Sequence, residues 1–265
     1  MIVPKLPAHS PKSTLEQLIG ITDVKVTYAR PSVKGRTIFG DLVPFGQLWR
    51  TAANAGSYIS FNTPVVLQGV AVPAGEYGLL TIPGKNSWRV MLNTSLRTIL
   101  SVPYDPALNV LDVEVPVEKA AFTETFTIAF DDFRMDAAVL TITWEHTRIA
   151  LLLEAPATEM GMAHVEEAMA QSDVTPIIMH SCASFCLDRN VRLAEALEWS
   201  RTSVEREPKF FSVRALSLLY AANGMKKEAI EAAKRSLELS RAAGVESFVK
   251  LNEAKIREWE GELVG

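Results

Sequence analysis

The residues best suited to bind a ligand lie between Tyr28 and Asn54, in the segment YARPSVKGRTIFGDLVPFGQLWRTAAN. Four cationic side chains occur there, opposed by a single acid. Guanidinium groups form paired hydrogen bonds with carboxylates, phosphates and sulfates, and an ammonium group adds a point charge. An indole ring offers a stacking face for a sugar or a cation. The segment therefore predicts an anion- or carbohydrate-binding site made of Arg30, Lys34, Arg36, Trp49, Arg50 and Asn54, with Thr51 as a further hydrogen-bonding group.

The same residues have a structural interpretation, and the sequence leaves both open. Two prolines and three glycines interrupt the segment, which is typical of ordered loops. In such loops arginine side chains can hold turns together by bonding to backbone carbonyls, and Trp49 can fill a core. Arg30 also alternates with Val26 and Tyr28, which places it at the edge of a predicted buried face.

The sequence carries no motif of a known catalytic or metal centre. It lacks a GxSxG elbow, a Walker loop and a GxGxxG turn, and its four histidines form neither HxH nor HxxxH spacing. Asp131, Asp132 and Asp136 are close in sequence, at a position where acidic turn residues are common. Cys182 and Cys186 are expected to be two buried thiols on one helix face. We predict no catalytic residue, no metal and no cofactor.

Two patterns of apolar residues divide the chain. From Val24 to about Leu153 apolar and polar residues alternate, which favours antiparallel strands with one buried face. Short turns between them are typical of a β-sandwich or a partly closed barrel. We expect about eight strands, with hairpins near Gly69 and around Gly84–Asn86, and we expect His146 in a turn over residues 144–148.

After Glu154 the period becomes helical. Gly224 and Gly244 stand where helices are expected to end. Segments beginning at Leu193 and Lys226 repeat after 33 residues, close to the tetratricopeptide period of about 34. Small residues at matching places predict closely paired helices. The predicted helices span residues 160–170, 177–187, 194–206, 212–223, 226–242 and 245–263.

These patterns predict an α+β protein in three parts. A flexible leader occupies residues 1–20, a sandwich-like or barrel-like β domain residues 21–155, and an all-α helical-repeat domain residues 156–265. Up to Arg148 there are thirteen Lys or Arg and thirteen Asp or Glu, and from Ala150 onward fourteen against eighteen. Neither part is basic enough for a nucleic-acid partner.

No membrane span is expected, because the longest apolar run, Ile149–Leu153, has the length of a strand. The first residues, MIVPKLPAHSPKS, contain no hydrophobic stretch of a signal peptide, although a leader can have preceded them.

The segments ARPSVKGRTIFGDLVPFGQLWRTAAN, VPAGEYGLLTIPGK and ITWEHTRIALLL resemble the bacterial family of unknown function DUF2911, over about Lys12 to Leu153. Helical tails with tetratricopeptide-like repeats also occur in such proteins. The resemblance implies no assigned reaction. It implies a periplasmic or exported location, with a cytoplasmic one as the alternative.

One departure from the family matters for function. The tryptophan motif of the family usually reads WRTGANE, whereas here Ala52 replaces the glycine and Ala55 the acid. An enzymatic role that used this acid is closed to this chain, and a binding or structural role is not. We therefore expect a non-enzymatic module that binds an anionic or carbohydrate-like ligand, with helical repeats that bind a protein partner. The alternatives are a hydrolase or lyase using the same cations, and a purely structural scaffold.

Overall fold

A computed structural model describes residues 6–95 and 104–264, with side chains described through residue 262. The chain divides after Ala157 into two compact units, the first rich in strands and the second helical. The predicted α+β class is confirmed. In the described residues there are ten strands, six α-helices and one short 3-10 helix at Pro106–Leu108.

Two antiparallel sheets make up the first unit. The strands are β1 (Lys12–Ile19), β2 (Thr22–Ala29), β3 (Ser57–Phe61), β4 (Val65–Leu67), β5 (Val70–Val72), β6 (Gly75–Pro83), β7 (Ser87–Asn93), β8 (Asn109–Pro116), β9 (Glu118–Arg134) and β10 (Ala137–Glu154). Six of them form one sheet in the order β1-β2-β3-β6-β7-β8, and four form the other in the order β5-β4-β10-β9.

The core of this unit lies between the inner faces of the two sheets. In β2, Val24, Val26 and Tyr28 are buried, while Asp23 and Lys25, which alternate with them, are exposed. Ile149, Leu151 and Leu153 of β10 are buried in the same way. Alternation in the sequence thus places every second side chain inside, as expected for a sheet with one covered face. The sheets are not closed into a barrel, so the sandwich alternative is the one that the structure adopts.

Both predicted hairpins are present. The prediction of a flexible leader over residues 1–20 is wrong from Lys12 onward, where the chain forms a strand. β4 and β5 turn through Gln68 and Gly69, and β6 and β7 turn through residues 84–86. β1, however, pairs with β2 along its whole length, from Lys12 opposite Ala29 to Ile19 opposite Thr22. Polar residues dominate β1 because it is an edge strand with an exposed outer face, and this obscured the pattern.

β9 and β10 form one long ribbon, and the turn expected around His146 is wrong. Residues 144–148 lie inside β10. The strand continues because β-bulges on either side of Glu145, whose φ is 54°, absorb the irregularity. His146 is exposed beside Phe122 of β9, with ring centroids 5.3 Å apart.

All six predicted helices are present in the second unit. They are α1 (Thr158–Met169), α2 (Pro176–Arg189), α3 (Leu193–Arg206), α4 (Phe210–Ala222), α5 (Lys226–Ala242) and α6 (Glu246–Val264). Gly224 and Gly244 follow α4 and α5 with φ of 77° and 68°. In each case the next residue donates its N–H back to the final helical turn, at 2.9 Å for Met225 and 3.0 Å for Val245.

The 33-residue sequence repeat corresponds to a structural repeat. Ser203 of α3 donates to the carbonyl of Pro176 at 2.7 Å, and Ser236 of α5 donates to the carbonyl of Phe210 at 2.7 Å. Pro176 and Phe210 are the first residues of α2 and α4. Each serine therefore bonds its helix to the first residue of the preceding helix, α3 to α2 and α5 to α4.

Candidate ligand-binding site

The loop from Arg50 to Gly56 is held in an unusual conformation. Thr51, Ala52 and Asn54 have φ of 52°, 131° and 58°, and Gly56 has 95°. Positive φ is unfavourable for side chains with a Cβ, and only glycine reaches 131° without strain. Ser57 Oγ donates to the Thr51 carbonyl, and Thr51 Oγ1 lies 3.0 Å from Thr81 Oγ1. These contacts fix the loop against β3 and β6.

Trp49 is partly buried and packs its ring against the core. Its ring stacks on Trp144 at 6.2 Å with an interplanar angle of 12°, and Phe39, Trp88 and Phe126 meet it edge to face. Its Nε1 donates to the Ala52 carbonyl at 3.1 Å. The indole therefore anchors the loop to the interior, and its ring faces are occupied by aromatic neighbours.

Arg30 and Arg36 are bonded to the protein itself. Arg30 donates from Nε to the Phe126 carbonyl at 3.2 Å and from Nη2 to Thr127 Oγ1 at 2.8 Å. Arg36 donates from Nε to the Val33 carbonyl at 2.9 Å and from Nη2 to the Ser32 carbonyl at 2.6 Å. Both guanidinium groups thus hold chain segments together, as the structural interpretation expects.

The remaining predicted residues do not converge with these two. Lys34 is exposed at a φ of 51°, with its backbone N–H bonded to Glu124 Oε1 at 2.9 Å. Arg50 is half-buried, and its Nε is buried without a hydrogen-bond partner among the described residues. Asn54 is exposed and donates to the Ser10 carbonyl at 3.1 Å. Of the six predicted site residues, Asn54 lines a concavity next to the loop.

A concavity of about 430 Å³ lies between this loop and the outer face of β1, β2, β3 and β6. We call it the loop-side groove. The Tyr58 hydroxyl donates to the Ala55 carbonyl at 3.0 Å, and this hydrogen bond joins β3 to the loop at the edge of the groove. Its polar lining consists of Lys12, Lys25, Thr27, Asn54, Tyr58 and Glu76.

Charges in the loop-side groove are unevenly matched. Lys25 pairs with Glu16 at 2.7 Å, and this hydrogen bond and charge raise the pKa of the Lys25 ammonium group. Lys12 forms no ion pair with any part of the chain that the structure describes. Burial, and then the charge of Glu76, raise the pKa of Tyr58, so its phenol remains a neutral donor at physiological pH. The groove thus offers a free cation, hydroxyl and amide groups, and one carboxylate.

Sequence reasoning missed most of this groove. Lys12, Lys25, Tyr58 and Glu76 come from four different strands, Lys12 fell within the expected leader, and none of the four was among the predicted site residues. Their only shared signal is that each is an outward residue of a strand, and many outward residues have no function. The loop that forms one wall, however, belongs to the segment that the sequence singled out.

Other candidates outside the groove are limited. Within residues 6–95 and 104–264, His, Cys, Asp and Glu side chains form no group of three or more that could hold a metal ion. Cys182 and Cys186 are both buried free thiols, Cys186 Sγ donates to Met162 Sδ at 3.8 Å, and burial raises the pKa of each thiol. None of the helices among the described residues is both long enough and apolar enough to span a membrane.

The fold and the groove define a two-sheet β domain that carries a ligand-sized concavity on one outer face and is followed by a helical unit. The model of the family described as "Protein of unknown function (DUF2911)" matches residues 10–153, and the chain belongs to this family. No curated protein and no solved structure matches the chain.

Proposed function

We propose that the β domain is a non-enzymatic binding module for an anionic or carbohydrate-like ligand, and that the ligand occupies the loop-side groove. The observation that carries this proposal is the position of the unpaired Lys12 and the Lys25–Glu16 pair opposite the loop of the family motif. An ammonium group without a carboxylate partner gains more from a bound anion than one already paired.

The loop supplies one wall of the site and is preorganised for it. Asn54 bonds to Ser10 on one side, and Tyr58 bonds to Ala55 on the other, so the rim needs little reordering when a ligand arrives. In this proposal Trp49 positions the loop, Arg30 and Arg36 hold the chain segment that precedes it, and Asn54 faces the ligand.

A calorimetric titration of the full chain with phosphate, sulfate, gluconate and glucuronate tests the groove. The double substitution Lys12→Gln and Lys25→Gln should abolish binding of the anion that the wild type binds. Lys34→Gln removes the same charge from an exposed position outside the groove and serves as the matched control. Loss of binding in Lys34→Gln with retention in the double variant would assign the ligand to the arginine loops instead.

A hydrolase or lyase remains the second candidate because Glu76 lines the groove and could transfer a proton. One carboxylate is fewer than the two that glycosidase chemistry ordinarily requires. Incubation of the bound ligand with wild type and Glu76→Gln separates the candidates. Product formed by the wild type and lost in the variant would replace the binding proposal with an enzymatic one.

For the helical unit, we propose a tetratricopeptide-like repeat that binds a protein partner. A row of half-exposed rings crosses three helices: His180 to Phe211 at 5.1 Å, Phe211 to Phe210 at 5.4 Å, and Phe210 to Phe248 at 4.8 Å. Aromatic side chains of this kind commonly anchor protein interfaces. Cross-linking in cells of origin should give a defined product with wild type that Phe211→Ala loses. Ser181→Ala, at an exposed position of the same unit, should retain it.

A further inference from the structure

The loop-side groove continues along the same sheet face into a second concavity of about 620 Å³. Lys25 lines both, and the second extends past Ser60 to Leu18, Asp23 and Asn62. We infer that the two concavities form one site for a linear oligosaccharide of several sugar units that carries an anionic group at one end. This inference rests on the proposed ligand-binding function and specifies its ligand.

The strand register arranges the outer face in successive rows. Lys12 lies opposite Ala29, Thr14 opposite Thr27, Glu16 opposite Lys25, and Leu18 opposite Asp23. Tyr58 extends the second row and Ser60 the third. From Ala29 to Asp23 the site spans about 20 Å at roughly 3.3 Å per residue, which suits a chain of about four linked pyranose rings.

The chemistry of this face favours a saccharide over an extended peptide. β2 and β3 are hydrogen-bonded to neighbours on both sides, so a peptide that lies across this face cannot pair with them as an added strand. The open edge of β1 lies at the side of the sheet and not on the face that lines the site. The face instead presents side-chain hydroxyl, amide and carboxylate groups, with the Tyr58 ring and Leu18 as apolar surfaces. Such a lining can pair with the alternating hydroxyl groups and C–H faces of sugars.

Charge changes sign along the site. The first row carries the unpaired cation of Lys12, and the second carries only hydroxyl groups. In the third row Glu16 neutralises Lys25, and Glu76 of β6 adds a negative charge opposite Ser60. The last row contains Asp23, which is bonded to Asn62 at 2.9 Å. A polyanion would be repelled at this end, so the anionic group of the ligand belongs beside Lys12.

The test is a calorimetric titration of the full chain with aldonic acids of one, two and four sugars. Three series are used, from β-1,4-glucan, β-1,4-xylan and α-1,4-glucan, so that sugar stereochemistry is varied. In at least one series the affinity should rise about tenfold or more from one sugar to four, because added sugars form further hydrogen bonds. The neutral tetramer should bind more weakly than the acid, and Lys12→Gln should remove that difference.

A blocking variant locates the extension. Ser60→Arg places a long side chain in the third row and should lower tetramer affinity to that of the monosaccharide acid while leaving the latter unchanged. Ser181→Arg, on an exposed position of α2, is the control and should leave both unchanged. Binding of small anions with no rise in affinity in any series overturns the oligosaccharide inference and leaves the binding module intact. Failure to bind small anions and all saccharides overturns both, and binding of an extended peptide alone overturns the saccharide assignment.

Discussion

Trp49 holds Ala52 in place: the indole Nε1 donates to the Ala52 carbonyl at 3.1 Å, and Ala52 adopts a φ of 131°. The tryptophan is fixed in turn by four aromatic neighbours, so the loop cannot relax without disturbing the core. A glycine at this position would have no Cβ and would tolerate such a φ. In this chain the loop therefore carries backbone strain.

Ala52→Gly should stabilise the protein. Relief of backbone strain contributes about 1–3 kcal/mol. It is opposed by the loss of one buried methyl group, worth about 0.8 kcal/mol, and by the added chain entropy of glycine in the unfolded state, worth about 0.5–1 kcal/mol. The net gain therefore reaches about 1.7 kcal/mol at the upper end of the strain range. Urea unfolding measures the change. Ala53→Gly, at a position without positive φ, should instead lower stability by about 0.5–1 kcal/mol. Equal behaviour of the two variants would show that the loop is unstrained.

Arg30→Met should destabilise the β domain. The substitution removes two charged hydrogen bonds and leaves the Phe126 carbonyl without its donor, so we expect a loss of about 2 kcal/mol. Lys34→Met is the control, because the exposed Lys34 ammonium group forms no hydrogen bond or ion pair with residues 6–95 and 104–264, and a surface change of this kind should stay within about 0.5 kcal/mol. If Arg30→Met kept its stability but lost ligand binding, Arg30 would be a residue that contacts the ligand and not a structural one.

Ser236→Ala should destabilise the helical unit more than Ser203→Ala. Each variant loses a hydrogen bond to the first residue of the preceding helix, worth about 1 kcal/mol. Ser236 Oγ also accepts from Asn252 Nδ2 at 2.9 Å, and Asn252 is buried, so its amide loses that partner. Thermal unfolding followed by circular dichroism compares the two with Ser181→Ala, which is expected to be nearly neutral. The same loss in both variants would contradict a structural role for Asn252.

His180 should make stability depend on pH. Burial lowers the pKa of this imidazole below its usual 6.5, so the unfolded chain binds the proton more readily than the folded one. Stability contributed by the neutral ring is complete above pH 6.5 and falls as the pH drops toward the folded-state pKa. His180→Phe keeps the contact with Phe211 but removes the titration. The difference in unfolding free energy between wild type and variant should therefore change between pH 7.5 and 5, and a constant difference would refute the effect.

Local patterns were sufficient for much of the fold. The change from period two to helical period predicted both units and all six helices, because those patterns follow from which side of each element is covered. Gly69, Gly224 and Gly244 marked turns and helix ends, since a positive φ is a local requirement. The edge strand β1 was missed because its exposed outer face hides the alternation. The strand β10 was predicted as two strands divided by a turn, because its bulges interrupt the alternation.

By itself the sequence determined the family, the two-part organisation and the segment that builds one wall of the groove. Only the tertiary structure decided which cations bond to the protein itself and which stay available to a ligand. Arg30, for example, bonds to residues that lie 96 and 97 positions further along the chain. The groove likewise depends on the register that aligns Lys12, Lys25, Tyr58 and Glu76 on one face of four strands. Strand pairing joins residues distant in sequence, so no local spacing between these side chains could have indicated that they share a surface.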